Sequence, residues 1–76
     1  MNKIRRKALS EIAEKIEALK DELESLRDEE QDCMDCMPEN LQGSERYEAA
    51  EEAVSNLDDA LNSLDEAISS IEEASA

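Results

Sequence analysis

The chain predicts an all-α fold: an antiparallel two-helix coiled-coil hairpin that dimerises into a four-helix bundle. Three observations carry this. Apolar residues recur in steps of three and four through both halves of the sequence. The only proline and the only glycine fall together between the two runs. With one Tyr and no Phe or Trp in 76 residues, the chain lacks the bulk for a thick globular core, which leaves helices zipped along a narrow seam.

The first run is Leu9, Ile12, Ile16, Leu19, Leu23 and Leu26, and its count continues through Glu30, Cys33 and Met37. This is the a/d pattern of coiled-coil packing, with Leu9 at a and Ile12 at d, and it predicts a helix over about 2–36. Pro38 cannot continue a helix and biases Met37 away from helical angles. Gly43 supplies a corner, and Ser44 is a suitable N-cap for a second helix. The turn is therefore expected over about 37–43, with room for one 3₁₀ turn in "PENL". The second run is Tyr47, Ala50, Val54, Leu57, Leu61, Leu64, Ile68 and Ile71, which predicts a helix over about 44–74.

Antiparallel pairing makes facing residues add to a constant. Leu9 with Ile71, Ile12 with Ile68, Ile16 with Leu64, Leu19 with Leu61, Leu23 with Leu57 and Leu26 with Val54 each total 80, so the midpoint, 40, lies within the turn. The flanking e positions offer Arg6 to Glu72, Lys20 to Asp58 and Arg27 to Glu51. Surface pairs of this kind contribute about 0–1 kcal/mol each and select orientation more than they stabilise. The basic start of the first helix and the acidic end of the second each oppose their own helix dipole, and placing them side by side relieves both.

The second helix repeats "AVSNLDD", "ALNSLDE", "AISSIEE". Each unit opens with alanine at g, beside the seam: Ala53, Ala60 and Ala67, with Ala74 opening a fourth. An apolar face three positions wide in seven exceeds what one partner helix covers, so these alanines are the expected self-association surface of a homodimer. Ser55, Asn56, Asn62, Ser63, Ser69 and Ser70 form a neutral stripe at b and c that weakens the helix. A partner contact or a second packing interface would explain it, and drift in composition is the alternative.

Net charge is −14 and unevenly spread. Residues 1–20 hold six basic and three acidic side chains, net +3; residues 21–52 hold two and thirteen, net −11; residues 53–76 hold none and six, net −6. Such a surface repels nucleic acid and anionic membrane, and its natural complement is a basic protein surface. No run approaches the roughly 20 apolar residues of a membrane span, and no secretory signal is visible, so a cytoplasmic location is expected.

Cys33-Met34-Asp35-Cys36 is a C-x-x-C, a spacing that suits soft metals and redox pairs. There is no histidine and no second C-x-x-C, so one chain supplies half a zinc site at most. Cys33 is expected instead to fill the last seam layer against Tyr47. No cofactor and no metal are expected, and without histidine, a Gly-rich phosphate loop or a nucleophile–base pair, neither is catalysis. The acidic hairpin end presents Glu29, Asp32, Asp35, Glu39, Glu45 and Glu48, interspersed with Asn40, Gln42 and Arg46, as candidate partner-binding residues. A row of carboxylates on a rigid rod imitates a phosphate backbone.

The stretch "DEEQDCMDCMPENLQGSERYEAAEEAVSNLDDAL" resembles a family of short acidic helical proteins from bacteriophages, prophages and mobile elements of Gram-positive bacteria, in which "EEQ…PENLQ…SERYE.A.EA…L..A" recurs. The resemblance spans most of the chain. It is most specific at Pro38, Glu39, Asn40, Leu41, Gln42, Ser44, Glu45, Arg46 and Tyr47. It implies a phage-type accessory protein acting inside a bacterial cell; no catalytic role carries over from it, and it implies no requirement for Cys33 and Cys36. The expected function is non-enzymatic: an acidic surface docking on a basic host protein, in its sharpest form an anti-defence, nucleic-acid-mimic inhibitor. The alternatives are a structural bundle without a specific partner, and a sponge holding a small signalling nucleotide between protomers beside Arg5, Arg6 and Lys7.

Overall fold

The computed structural model describes residues 1–76 and contains two long helices folded back on one another. They are α1 (Lys3–Asp35) and α2 (Glu45–Ala74), joined through a single 3₁₀ turn, Glu39–Leu41. The rod measures 59 × 15 × 12 Å. The fold is the all-α helical hairpin that the two heptad runs imply.

Each helix begins on a side-chain cap. Asn2 Oδ1 accepts the Arg5 N–H at 2.8 Å and Ser44 Oγ accepts the Tyr47 N–H at 3.3 Å, each satisfying one of the amides a helix start leaves unpaired. α1 closes with the Cys36 N–H donating to the Asp32 carbonyl and the Met37 N–H donating to the Met34 carbonyl, a tightened last turn. Pro38 then leaves the helix in extended geometry, φ −59° and ψ 149°. The Leu41 N–H returns to the Pro38 carbonyl at 2.9 Å, and the Ser44 hydroxyl donates to the Leu41 carbonyl at 2.6 Å. One serine thus ends the turn and starts α2.

Gly43 differs from expectation. Its φ is not positive, and a Cβ built there meets nothing within 4 Å. The corner is made by Pro38 and the Ser44 hydroxyl, and it does not draw on glycine's conformational range.

The seam keeps α2 in its expected orientation and turns α1. On α2 the a and d positions face inward: Ala50, Val54 and Ile68 are buried, and Leu57, Leu61, Leu64 and Ile71 are half-buried. On α1 the inward stripe is Leu9, Ala13, Ile16, Lys20, Leu23, Arg27, Glu30 and Met34, which are a and e positions. The d residues Ile12, Leu19 and Leu26, expected in the seam, are 44%, 59% and 58% exposed. Cys33, expected against Tyr47, is exposed as well, and Met34 is half-buried in its stead. At about 100° per residue, moving the inward face from a/d to a/e is a turn of roughly 50° about the α1 axis. Ala13 is small enough to let α2 approach, and the stems of Lys20 and Arg27 are long enough to cover the seam while their charged heads stay at its edge.

Replacing Ser44 by Ala removes a cap and a turn bond, and is expected to lower unfolding free energy by about 0.5–2 kcal/mol. Gly43→Ala is expected to raise it by about 0.4–1 kcal/mol, because it narrows the unfolded ensemble without strain in the turn. Urea titration followed by circular dichroism separates the two; a destabilising Gly43→Ala contradicts this account of the corner.

Candidate functional site

The two long flanks of the rod differ in chemistry. On one, the e positions meet. Lys20 Nζ lies 2.5 Å from Asp65 Oδ1, and Arg27 Nε donates to Asp58 Oδ1 at 2.8 Å while also reaching Asp28 on its own helix at 3.0 Å. These are not the anticipated partners. The heptad register matches Lys20 with Asp58 and Arg27 with Glu51, whereas each cation engages the carboxylate one heptad further along α2. The cause is geometric. Helical side chains lean toward the N-terminus of their own helix. In an antiparallel pair, two such side chains converge only when the partner sits further along its own chain. The same step carries Arg6 beyond the end of α2, and Arg6 makes no ion pair with Glu72 or any other residue.

The hydrogen bond to Asp65 raises the Lys20 pKa above its ordinary 10.5, with attraction from Asp65, Glu17 and Glu24 adding to it and partial desolvation opposing it. Bonds to Asp58 and Asp28 raise that of Arg27 in the same way.

The opposite flank carries an apolar stripe, with Glu29 and Glu30 at its tip end. The exposed stripe of Ile12, Leu19 and Leu26 lies beside the half-buried Ala53, Ala60 and Ala67 of α2; Ala74 is exposed. Leu26, Cys33 and Ala53 line one groove with Leu23, Leu57, Glu29 and Glu30, which shows that the two stripes share a flank. Leu23 and Leu57 are also one of the expected facing pairs. Beyond the alanines lie the exposed c residues Asn56, Ser63 and Ser70 of the neutral stripe.

The third surface is the hairpin tip. Glu29, Asp32, Asp35, Glu39, Asn40, Gln42, Glu45, Arg46 and Glu48 are all exposed there. Of these side chains only Asp35 has an internal partner, accepting from Gln31 Nε2 at 3.0 Å. The side chains of "ENLQ" therefore do not build the turn, whose bonds run through backbone and Ser44. The same end of the rod holds an apolar notch of about 590 Å³ lined by Cys33, Cys36, Met37, Pro38, Leu41, Ser44 and Arg46, with no carboxylate in its lining. Leu41, at its edge, is 47% exposed.

Cys33 and Cys36 are free thiols in that notch. No group of three or more Cys, Asp or Glu side chains is gathered in a way that holds a metal ion. Arg5, Arg6 and Lys7 are exposed and unpaired at the start of α1. No helix is long and apolar enough to cross a membrane. Comparison with family models, curated proteins and solved structures finds no match to this chain.

The sequence placed the acids at the tip and the alanines beside the seam, but it put Cys33 inside the seam and missed the exposed d stripe of α1. The signal for it was the e column: Ala13, Lys20 and Arg27, one small residue and two long stems opposite the acids Asp58 and Asp65.

Two outcomes are expected. A group whose pKa is raised on folding stabilises fully below its unfolded pKa and ceases to do so as pH climbs through the folded value. The gap in melting temperature between the native chain and Asp65→Asn should therefore hold steady from pH 7 to about 10, shrink above Lys20's ordinary 10.5, and narrow in high salt. Replacing both Cys33 and Cys36 by Ser should change stability by less than about 0.5 kcal/mol, as at other exposed positions, with zinc absent from native and variant chains alike in elemental analysis.

Proposed function

We propose that this chain is a non-enzymatic interaction module that works as a homodimer and docks its acidic hairpin tip on a basic protein surface. The observation that carries this reading is the tip itself. Its carboxylates are exposed and almost wholly without internal partners, they share the tip with an apolar notch, and they fall where residues 21–52 concentrate a net charge of −11. A protein surface offering Lys and Arg around one apolar side chain matches both features. Charge complementarity of this kind sets approach rate and orientation, and a central apolar anchor supplies contact energy. The resemblance at residues 38–47 supports a phage or prophage setting in the bacterial cytoplasm, with a host protein as the partner. A carboxylate row on a rod gives the sharper form: an inhibitor occupying the nucleic-acid site of a host defence protein.

Affinity capture from bacterial lysate with the native chain, with Asp32→Asn/Asp35→Asn/Glu39→Gln, and with Leu41→Ala tests this. Specific partners should be lost from both variants and released from the native chain by added salt, which shortens the screening length from about 8 Å at physiological ionic strength to about 3 Å at 1 M. Equal capture by the native chain and the triple variant rules out docking through the tip.

A further inference from the structure

Turning Ile12, Leu19 and Leu26 outward gains the isolated hairpin only the partly exposed ion pairs of Lys20 and Arg27, which contribute little at a solvent-screened surface. Burying a Leu or Ile is among the stronger favourable terms a small helical protein has, and here three of them line one flank. The layout of that flank is suited to one kind of partner.

We infer that the Ile12–Leu19–Leu26 stripe is the docking surface for the same stripe of a second copy, with the two α1 helices antiparallel about a two-fold axis at Leu19. The inference rests on the homodimer reading and specifies its interface. A two-fold interface must be self-complementary, so its features must be symmetric about a centre. Ile12 and Leu26 lie seven residues either side of Leu19, and Leu19 is the midpoint of α1, Lys3–Asp35. On α2, Ala53 and Ala67 lie seven residues either side of Ala60. Leu23 and Leu57 line one groove, as the heptad register expects, and the same register sets Leu19 level with Leu61, which centres both stripes at one height on the rod. Large residues then meet large ones along α1, and alanines meet alanines along α2, where small side chains allow close approach.

Charge selects the orientation. With the axis at Leu19, the basic stretch 1–20 of one copy runs beside the acidic first part of 21–52 in the other, and Lys15 stands opposite the second copy's Glu22. The two acidic tips point to opposite ends of the bundle. The alternative two-fold, along the rod, brings both tips to one end and sets like charges together. The far edge of the flank carries Asn56, Ser63 and Ser70, which a covering chain does not have to strip of charge. Size sets a requirement: only contact along the whole 59 Å of a flank 12–15 Å wide reaches the roughly 800 Å² per partner typical of stable interfaces, so the contact extends past the roughly 21 Å between Ile12 and Leu26.

The test uses chains with Cys33 and Cys36 replaced by Ser. Leu19→Cys should then form a covalent dimer with a short bismaleimide. Ile12→Cys and Leu26→Cys should each cross-link poorly alone and efficiently when mixed. Leu19→Glu, at a position already exposed in the hairpin, should keep its helical circular dichroism and weaken association at least about 100-fold in sedimentation equilibrium. Ile12→Cys cross-linking efficiently to itself, or Leu19→Glu remaining a dimer, overturns this interface while leaving the homodimer reading standing. A native chain that sediments as a monomer at every concentration overturns both, and leaves docking through the acidic tip to its own test.

Discussion

Two helices touch along one line, and this chain carries more apolar surface than one line can cover. α1 offers Leu9, Ile16 and Leu23 at a, Ile12, Leu19 and Leu26 at d, and Ala13 at e; α2 offers full a and d columns and a third of alanine at g. Within the hairpin only two columns of each helix fit inside. α2 turns in its a and d columns, and α1 its a and e columns. From that choice come the ion pairs along one flank, the bare apolar stripe along the other, and the exposed Cys33 at the tip.

Much of this was legible beforehand, and the part that was not has a definite cause. The steps of three and four placed both helices, and Pro38 and Ser44 placed the turn between them. Heptad reading assumes that the largest apolar residues face the partner. That holds on α2, where a and d are the only wide apolar columns flanked by acids on the e side. It fails on α1, where Lys20 and Arg27 gain carboxylates by turning inward and Ala13 makes room. The ion pairs miss by one heptad for a related reason. Position numbers locate Cα atoms, whereas Nζ and Oδ1 lie well toward each helix's own start. Gly43 looked conformationally necessary because glycine usually marks corners, and here φ simply stays negative.

The tip was legible as acidic but not as uncommitted. Sequence alone cannot tell a carboxylate that caps or pairs from one left free. The structure draws that line: Asp58 and Asp65 hold cations, Asp35 holds Gln31, and Glu39 and Asp32 hold no side chain. Glu45 and Glu48 sit in the first turn of α2, where the helix dipole favours negative charge, so part of the tip's acidity is locally favourable. α1 has the opposite arrangement, with Lys3, Arg5 and Arg6 at its start and no acid in its first turn; there the Asn2 cap provides the local support.

Tyr47 gives the molecule an unusual optical character. It is the sole aromatic side chain, half-buried in the first turn of α2, with its amide held by Ser44. Near-ultraviolet absorbance and intrinsic fluorescence therefore come from one point beside the turn, while far-ultraviolet circular dichroism sums over both helices. The two signals divide the rod into its closed end and its whole length. Their melting curves coincide only when the turn and the distant open end come apart as a single cooperative unit.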